Sequence, residues 1–87
     1  MPNTLVVSTF DCPFSDFEAI VKKEDKEQGY VFCSELEIIK VNENKELLLM
    51  NCSDLDKFGA MLEQPDLKQW YIDNNCKDTV YNLELVG

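Results

Sequence analysis

Four cysteines, three tyrosines, one tryptophan and a scatter of glutamates carry whatever chemistry this chain has, and it has no histidine. Without an imidazole there is no conventional base to activate a serine or cysteine nucleophile, so triad-type hydrolysis is a poor fit. Cys12, Cys33, Cys52 and Cys76 include no Cys-x-x-Cys pair. Zinc sites draw their ligands from such closely spaced knuckles, often with histidine, so no metal site and no cofactor are expected. A free cysteine is most simply a small apolar residue near a core edge, and a redox or metal role is the alternative.

The carboxylates and aromatics allow other chemistry. Glu35, Glu37 and Glu84 could act as general acids or bases if an interface buried them, because desolvation raises a carboxylate pKa toward neutrality. A solvated strand edge accounts for them more simply. Trp70, Tyr71 and Tyr81 are the candidates for lining a ligand pocket, with polar tips to orient a small molecule. Aromatics at such spacing more often fill a core. Asp54 and Asp56 read as helix N-terminal charges. Gly29, Gly59 and Gly87 stand too far apart for a phosphate-cradling loop, and no acidic loop has regular calcium-ligand spacing.

Composition narrows the partners. A formal charge of −9 opposes binding to phosphate backbones and anionic membrane surfaces, and the basic residues form no cluster beyond Lys22-Lys23. With 45% hydrophobic and 29% charged residues the chain reads as an ordinary globular domain. Its 87 residues suffice for one core, so residues 1–87 are read as a single domain. The segment "MPNTLVVSTF" has no basic leader region and too short an apolar run for a membrane span. A cytoplasmic location is therefore expected, with the cysteines as thiols.

Stepping along the chain, "TLVVSTF" (Thr4 to Phe10) is a buried-type strand and "SDFE" (Ser15 to Glu18) has the form of a capping box that opens a helix ending near Gly29. "YVFCSELEIIKV" (Tyr30 to Val41) and "ELLLMNC" (Glu46 to Cys52) form a hairpin across "NENK", with a register uncertain by one residue. "SDLD" (Ser53 to Asp56) starts a second helix, which Pro65 breaks before "DLKQWYIDNN" resumes it. "TVYNLELV" (Thr79 to Val86) alternates as a final half-buried strand.

The order β-α-β-β-α-β predicts an α+β, ferredoxin-like four-stranded antiparallel sheet of order 4-1-3-2 with two helices on one face. Leu36, Ile38, Tyr81, Leu83 and Leu85 are expected on the helix side. Glu35, Glu37, Asn82 and Glu84 are expected on the open side. All four cysteines are expected at one end of the sheet. "LVV" and "LLLM" are apolar at consecutive positions, so the central strands send apolar side chains to the open face too. An apolar centre with an acidic rim suits a protein interface, and the expected partner is a second copy of the chain.

With this element order, and with "SDLDKFGAMLEQPDLKQWY" as a Ser-capped helix that breaks at proline and resumes with aromatics, the chain resembles the dimeric α/β barrel superfamily of antibiotic-biosynthesis-monooxygenase-like and stress-responsive barrel proteins. The resemblance spans the whole chain. It implies two subunits packed sheet to sheet, with pockets between sheet and helices or near the seam. Haem degradation in that group usually relies on an axial histidine, which this chain lacks. Three functions follow as expectations: a homodimer of unassigned activity that binds a small apolar or aromatic molecule; a cofactor-independent monooxygenase or isomerase of small aromatics; an adaptor that uses its open sheet face. The first leans away from enzymatic activity. A cavity holding an oriented polar group would favour the second, and a cavity filled by side chains the first.

Overall fold

The computed structural model describes all residues, Met1–Gly87. Its elements are β1 (Thr4–Thr9), α1 (Phe14–Glu27), a 3-10 turn (Gly29–Val31), β2 (Cys33–Asn42), β3 (Lys45–Cys52), α2 (Leu55–Leu62), α3 (Pro65–Asp73) and β4 (Lys77–Asn82). The strands form one antiparallel sheet ordered β2-β3-β1-β4, the expected ferredoxin-like arrangement. Pro65 occupies the first turn of α3, where its missing N–H costs nothing, so the second helix is two helices.

Register assigns every strand residue a face, since side chains alternate and directly paired residues share a side. On β1, Thr4, Val6 and Ser8 are almost wholly buried and point toward the helices. Their partners are Met50, Leu48 and Glu46 on β3, and Asn82, Val80 and Asp78 on β4. The opposite face carries two rows across the sheet: Ile39, Leu47, Val7 and Thr79, then Glu37, Leu49, Leu5 and Tyr81. Tyr81 therefore lies on the open face and Asn82 on the helix face, the reverse of the sequence expectation. Alternation in "TVYNLELV" gave the period correctly, but edge exposure on both sides hid its phase.

β4 is also shorter than expected. β1 begins at Thr4, and the Leu83 N–H to Asn3 carbonyl bond of 2.8 Å is the last on this ladder. Glu84 and Leu85 have no strand to pair with, and Leu85 is exposed. β2 starts late, at Cys33, because Gly29–Val31 coils into the 3-10 turn. Glu35 sits in a bulge between Ser34 and Glu37, at φ 56°, with its carboxylate 2.8 Å from the N-terminal amine. Glu37 is the one acidic candidate that register puts on the open face within a strand.

Helix starts differ from the capping-box reading. Pro13 is the N-cap of α1 and makes no side-chain cap, leaving Ser15 inside the first turn. At α2 the cap is Asp54, whose Oδ1 accepts the Lys57 N–H at 3.1 Å. The Ser53 hydroxyl instead donates to the Phe32 carbonyl at 3.2 Å.

Between sheet and helices the core divides in two. Val6, Phe32, Leu48, Met50, Cys52 and Phe58 pack under α2. Phe10, Cys12, Phe17 and Cys76 pack at the other end, where the Phe10 and Phe17 rings stack with centroids 4.4 Å apart. The cysteines are thus split: Cys33 faces Cys52 near the start of β1, whereas Cys12 and Cys76 meet beyond its end. Antiparallel pairing of β1 with β3 puts the end of one strand beside the start of the other, which overturns the single-end expectation.

Candidate functional site

Three adjacent strands, β3, β1 and the edge strand β4, place a polar row on the core side of the sheet. Glu46, Ser8 and Asp78 are consecutive register partners across β3, β1 and β4, all on the helix side. Glu46 and Ser8 are 0% exposed. Lys40 is the next partner outward from Glu46 on β2, but its ammonium pairs with Glu43 and lies 5.3 Å over the Phe14 ring centroid.

α3 supplies the fourth member. Its C-terminus closes as a Schellman turn: Asn75 adopts φ 48°, the Asn75 N–H reaches the Ile72 carbonyl at 3.2 Å, and the Cys76 N–H reaches the Tyr71 carbonyl at 2.8 Å. Tyr71 is thereby tied to the chain two residues before Asp78. Its hydroxyl donates to Asp78 Oδ2 at 2.6 Å, while the Ser8 hydroxyl donates to Oδ1 at 2.5 Å. Both Asp78 oxygens are engaged.

Glu46 is left unsatisfied. Ser8 has one hydroxyl proton and aims it at Asp78, and neither Glu46 oxygen has a hydrogen-bond partner. Burial pushes the Glu46 carboxyl up to about 8; the nearby Ser8 hydroxyl tempers the rise and the Asp78 charge adds to it. Burial also raises Asp78, against the opposing pull of its bonds from Ser8 and Tyr71. Tyr71 is raised by burial and by the Asp78 charge beside it, so it stays a phenol and a donor. Glu46, with no hydrogen-bond donor, is the carboxyl more strongly driven toward its neutral form, whereas the two donors on Asp78 favour its charged form against burial.

Tyr71 and Asp78 also line a cavity of about 60 Å³ between the sheet and the helices. Phe17, Leu48, Phe58 and Leu67 supply much of its apolar wall. That space exceeds what one water needs, roughly 10–15 Å³. Glu24 and Asp25 of α1 add an acidic side to this mostly apolar wall, and Asp78 is the carboxylate held in place by Ser8 and Tyr71, where it could take a proton from a small apolar molecule. The remaining wall includes Cys33 and Met50, with Cys33 Sγ 3.4 Å from Met50 Sδ. Burial, followed by neighbouring Cys52 and Asp25, pushes the Cys33 thiol up to about 12; burial and the Asp78 charge do the same for Cys76. No group of three or more His, Cys, Asp or Glu side chains is arranged to hold a metal.

Of the three aromatic candidates, the structure brings Tyr71 alone to the cavity. Trp70 packs beside it, 5.9 Å from the Tyr71 ring and 6.1 Å from Phe17, as part of the core. Tyr81 is on the far face of the sheet. Glu35, Glu37 and Glu84 do not line the cavity, although Leu36 between the first two does. Sequence reasoning missed Ser8, Glu46 and Asp78. A signal for two of them was present, since Ser8 follows Val6 and Glu46 precedes Leu48 by the strand period of two, which puts polar residues on buried faces.

No protein-family model and no curated protein matches this chain. Among solved structures it is similar to the crystal structure of SnoaB, a cofactor-independent oxygenase from Streptomyces nogalater, with a TM-score of 0.62 over 99% of this chain and 97% of that one. Sequence identity is 12%, so the likeness is one of fold. No helix is long and apolar enough to cross a membrane.

Proposed function

We propose that this protein is a cofactor-independent enzyme of small aromatic substrates, of the monooxygenase or isomerase type, whose chemistry begins when Asp78 removes a proton from the bound molecule. The observation that carries this reading is a carboxylate held by hydrogen bonds from Ser8 and Tyr71 at the wall of a mostly apolar cavity, whose other acidic lining residues, Glu24 and Asp25, lie on α1. Of the functions weighed from the sequence, this favours the catalytic one over passive binding. Likeness of fold to a cofactor-independent oxygenase supports it. Proton abstraction from a carbon beside a carbonyl, or from a phenol, is the step that isomerisation and oxygen addition share. The proton goes to Asp78, and the Tyr71 phenol remains able to donate to the developing oxyanion once Asp78 is neutral.

The working unit in this reading is a homodimer joined by the open sheet faces. Leu5, Val7, Leu47 and Leu49 form the centre of that face, with Ile39 and Tyr81 exposed at its sides. A second copy would remove this apolar surface from water.

2-Tetralone, a small aromatic ketone with an acidic α C–H, tests the catalytic claim. Deuterium incorporation in D₂O, followed by NMR, should be faster with the wild-type chain than in buffer and should fall to the buffer rate with Asp78→Asn. Exchange at the buffer rate while the ketone perturbs cavity methyl signals would overturn the catalytic reading and leave a binding protein.

A further inference from the structure

Three sulfurs converge at the end of the sheet away from Asp78. Cys33 and Cys52 are direct register partners on β2 and β3. The Cys52 N–H donates to Asn3 Oδ1 and its carbonyl accepts from Asn3 Nδ2, both at 2.8 Å, so its backbone groups face β1 rather than Cys33. The Ser53 N–H bonds the Phe32 carbonyl one step outward. Cys33 and Cys52 are therefore a non-hydrogen-bonded pair, the kind in which Cα atoms approach to about 4.5 Å and side chains lie closest. Met50, two residues before Cys52, shares its face, and its Sδ is 3.4 Å from Cys33 Sγ. All the cysteines are free thiols.

The donor set selects its ligand. Two thiols and a thioether are soft donors, the chain has no histidine, and no third Cys, Asp or Glu, the nearby Asp25 included, is placed to join the two thiols as a metal-holding group. Tetrahedral zinc needs a fourth ligand that the site does not offer. Hard cations need oxygen donors. A monovalent soft ion content with three sulfurs fits, and the negative net charge attracts rather than repels it. Half-buried Cys33 gives it a way in from the cavity, whereas Cys52 and Met50 are buried against Phe32 and Phe58.

We propose that Cys33, Cys52 and Met50 form a three-coordinate binding site for Cu(I). On binding, each thiol releases its proton to water as its S–Cu bond forms, the thioether adds a lone pair, and copper stays in the +1 state. The site uses none of the residues that hold Asp78, although Cys33 and Met50 belong to the wall of the same cavity.

The test is an anaerobic titration of the fully reduced chain with Cu(I) buffered by bicinchoninate, with native mass spectrometry for stoichiometry and X-ray absorption for the donor set. One copper per chain, drawn from the chelator and surrounded by three sulfurs, is expected. Cys33→Ser and Cys52→Ser should each abolish that transfer, Met50→Leu should weaken it by about tenfold or more, and a Cys12→Ser/Cys76→Ser double variant should match wild type. Circular dichroism of each variant separates a lost ligand from a lost fold. Copper left entirely with the chelator, or equal uptake by folded Cys33→Ser, would overturn the site. Unchanged affinity in Met50→Leu would overturn its three-coordinate form.

Discussion

Ser8 donates its one hydroxyl proton to Asp78 across 2.5 Å, and by doing so withholds it from Glu46, its register partner on the other side. A fully buried carboxyl and a half-buried one therefore compete for a single donor, and the one without it, Glu46, is the more strongly driven toward its neutral form. The arrangement couples the candidate base to a neutral neighbour two strands away. It also makes the charge on the core a function of pH.

The sign of that dependence follows from Glu46. Its ordinary value is 4.5 and its folded value about 8, so between these the folded chain binds more protons than the unfolded one. Its contribution to stability is complete below 4.5 and is lost as pH rises through 8, at up to about 1.4 kcal/mol per pH unit. Asp78 is raised as well and acts in the same sense. Urea unfolding at a series of pH values should show Glu46→Gln with a flatter profile from pH 5 to 8 and a gain of about 1–3 kcal/mol at pH 9. An unaltered slope in this variant would remove Glu46 from the account.

Tyr71 and Ser8 act on Asp78 through hydrogen bonds to its charged form. Tyr71→Phe or Ser8→Ala should raise the Asp78 pKa further, each bond to a charged group being worth about 1.5–3 kcal/mol. In the 2-tetralone exchange assay the pH profile should move to higher pH in both variants, with the plateau rate kept better by Ser8→Ala than by Tyr71→Phe. A rate lost equally at every pH would assign these residues to packing alone.

The order of elements was legible in the chain because each rests on a local signal: the β-branched run of β1, the polar turn of the hairpin, and Pro65 at the start of α3. What failed was phase. The apolar run "LLLM" looks alike from both sides, and the short β4 is exposed on both, so nothing local says whether Tyr81 or Asn82 turns to the helices. The site shared that difficulty. Glu46, Ser8 and Asp78 are 38, and 70, residues apart along the chain in turn from Ser8, and only register across three strands brings them into one row. Tyr71 was named for its aromatic ring, whereas its hydroxyl makes the contact that matters.

Phe17 tests the packing beneath the cavity. It is 1% exposed, stacks on Phe10 at 4.4 Å and leans on Trp70. Phe17→Ala should cost about 3–5 kcal/mol, through lost transfer free energy and the void left behind. Thermal and urea unfolding measure this directly. Phe17→Leu keeps more of the volume and should lose less, and equal losses in the two variants would place the energy in ring stacking rather than in the filled space.

The open face offers the sharpest separation of assembly from chemistry. Leu49 lies between Glu37 and Leu5 in the row that ends at Tyr81, on the side of the sheet without helices. A lysine there has room to extend into water in a monomer, but two sheets packed face to face would have to bury two ammonium groups, at several kcal/mol per ion. Leu49→Lys should therefore shift sedimentation from dimer to monomer at micromolar concentration. The monomer's own ΔG of unfolding should fall only modestly, by about 1–2 kcal/mol, because Leu49 is half-buried there rather than part of the core. Wild type sedimenting as a monomer would instead turn this face toward a different protein. If 2-tetralone exchange survives in monomeric Leu49→Lys, the cavity works within one subunit; if it is lost while the fold is intact, the second copy completes the site.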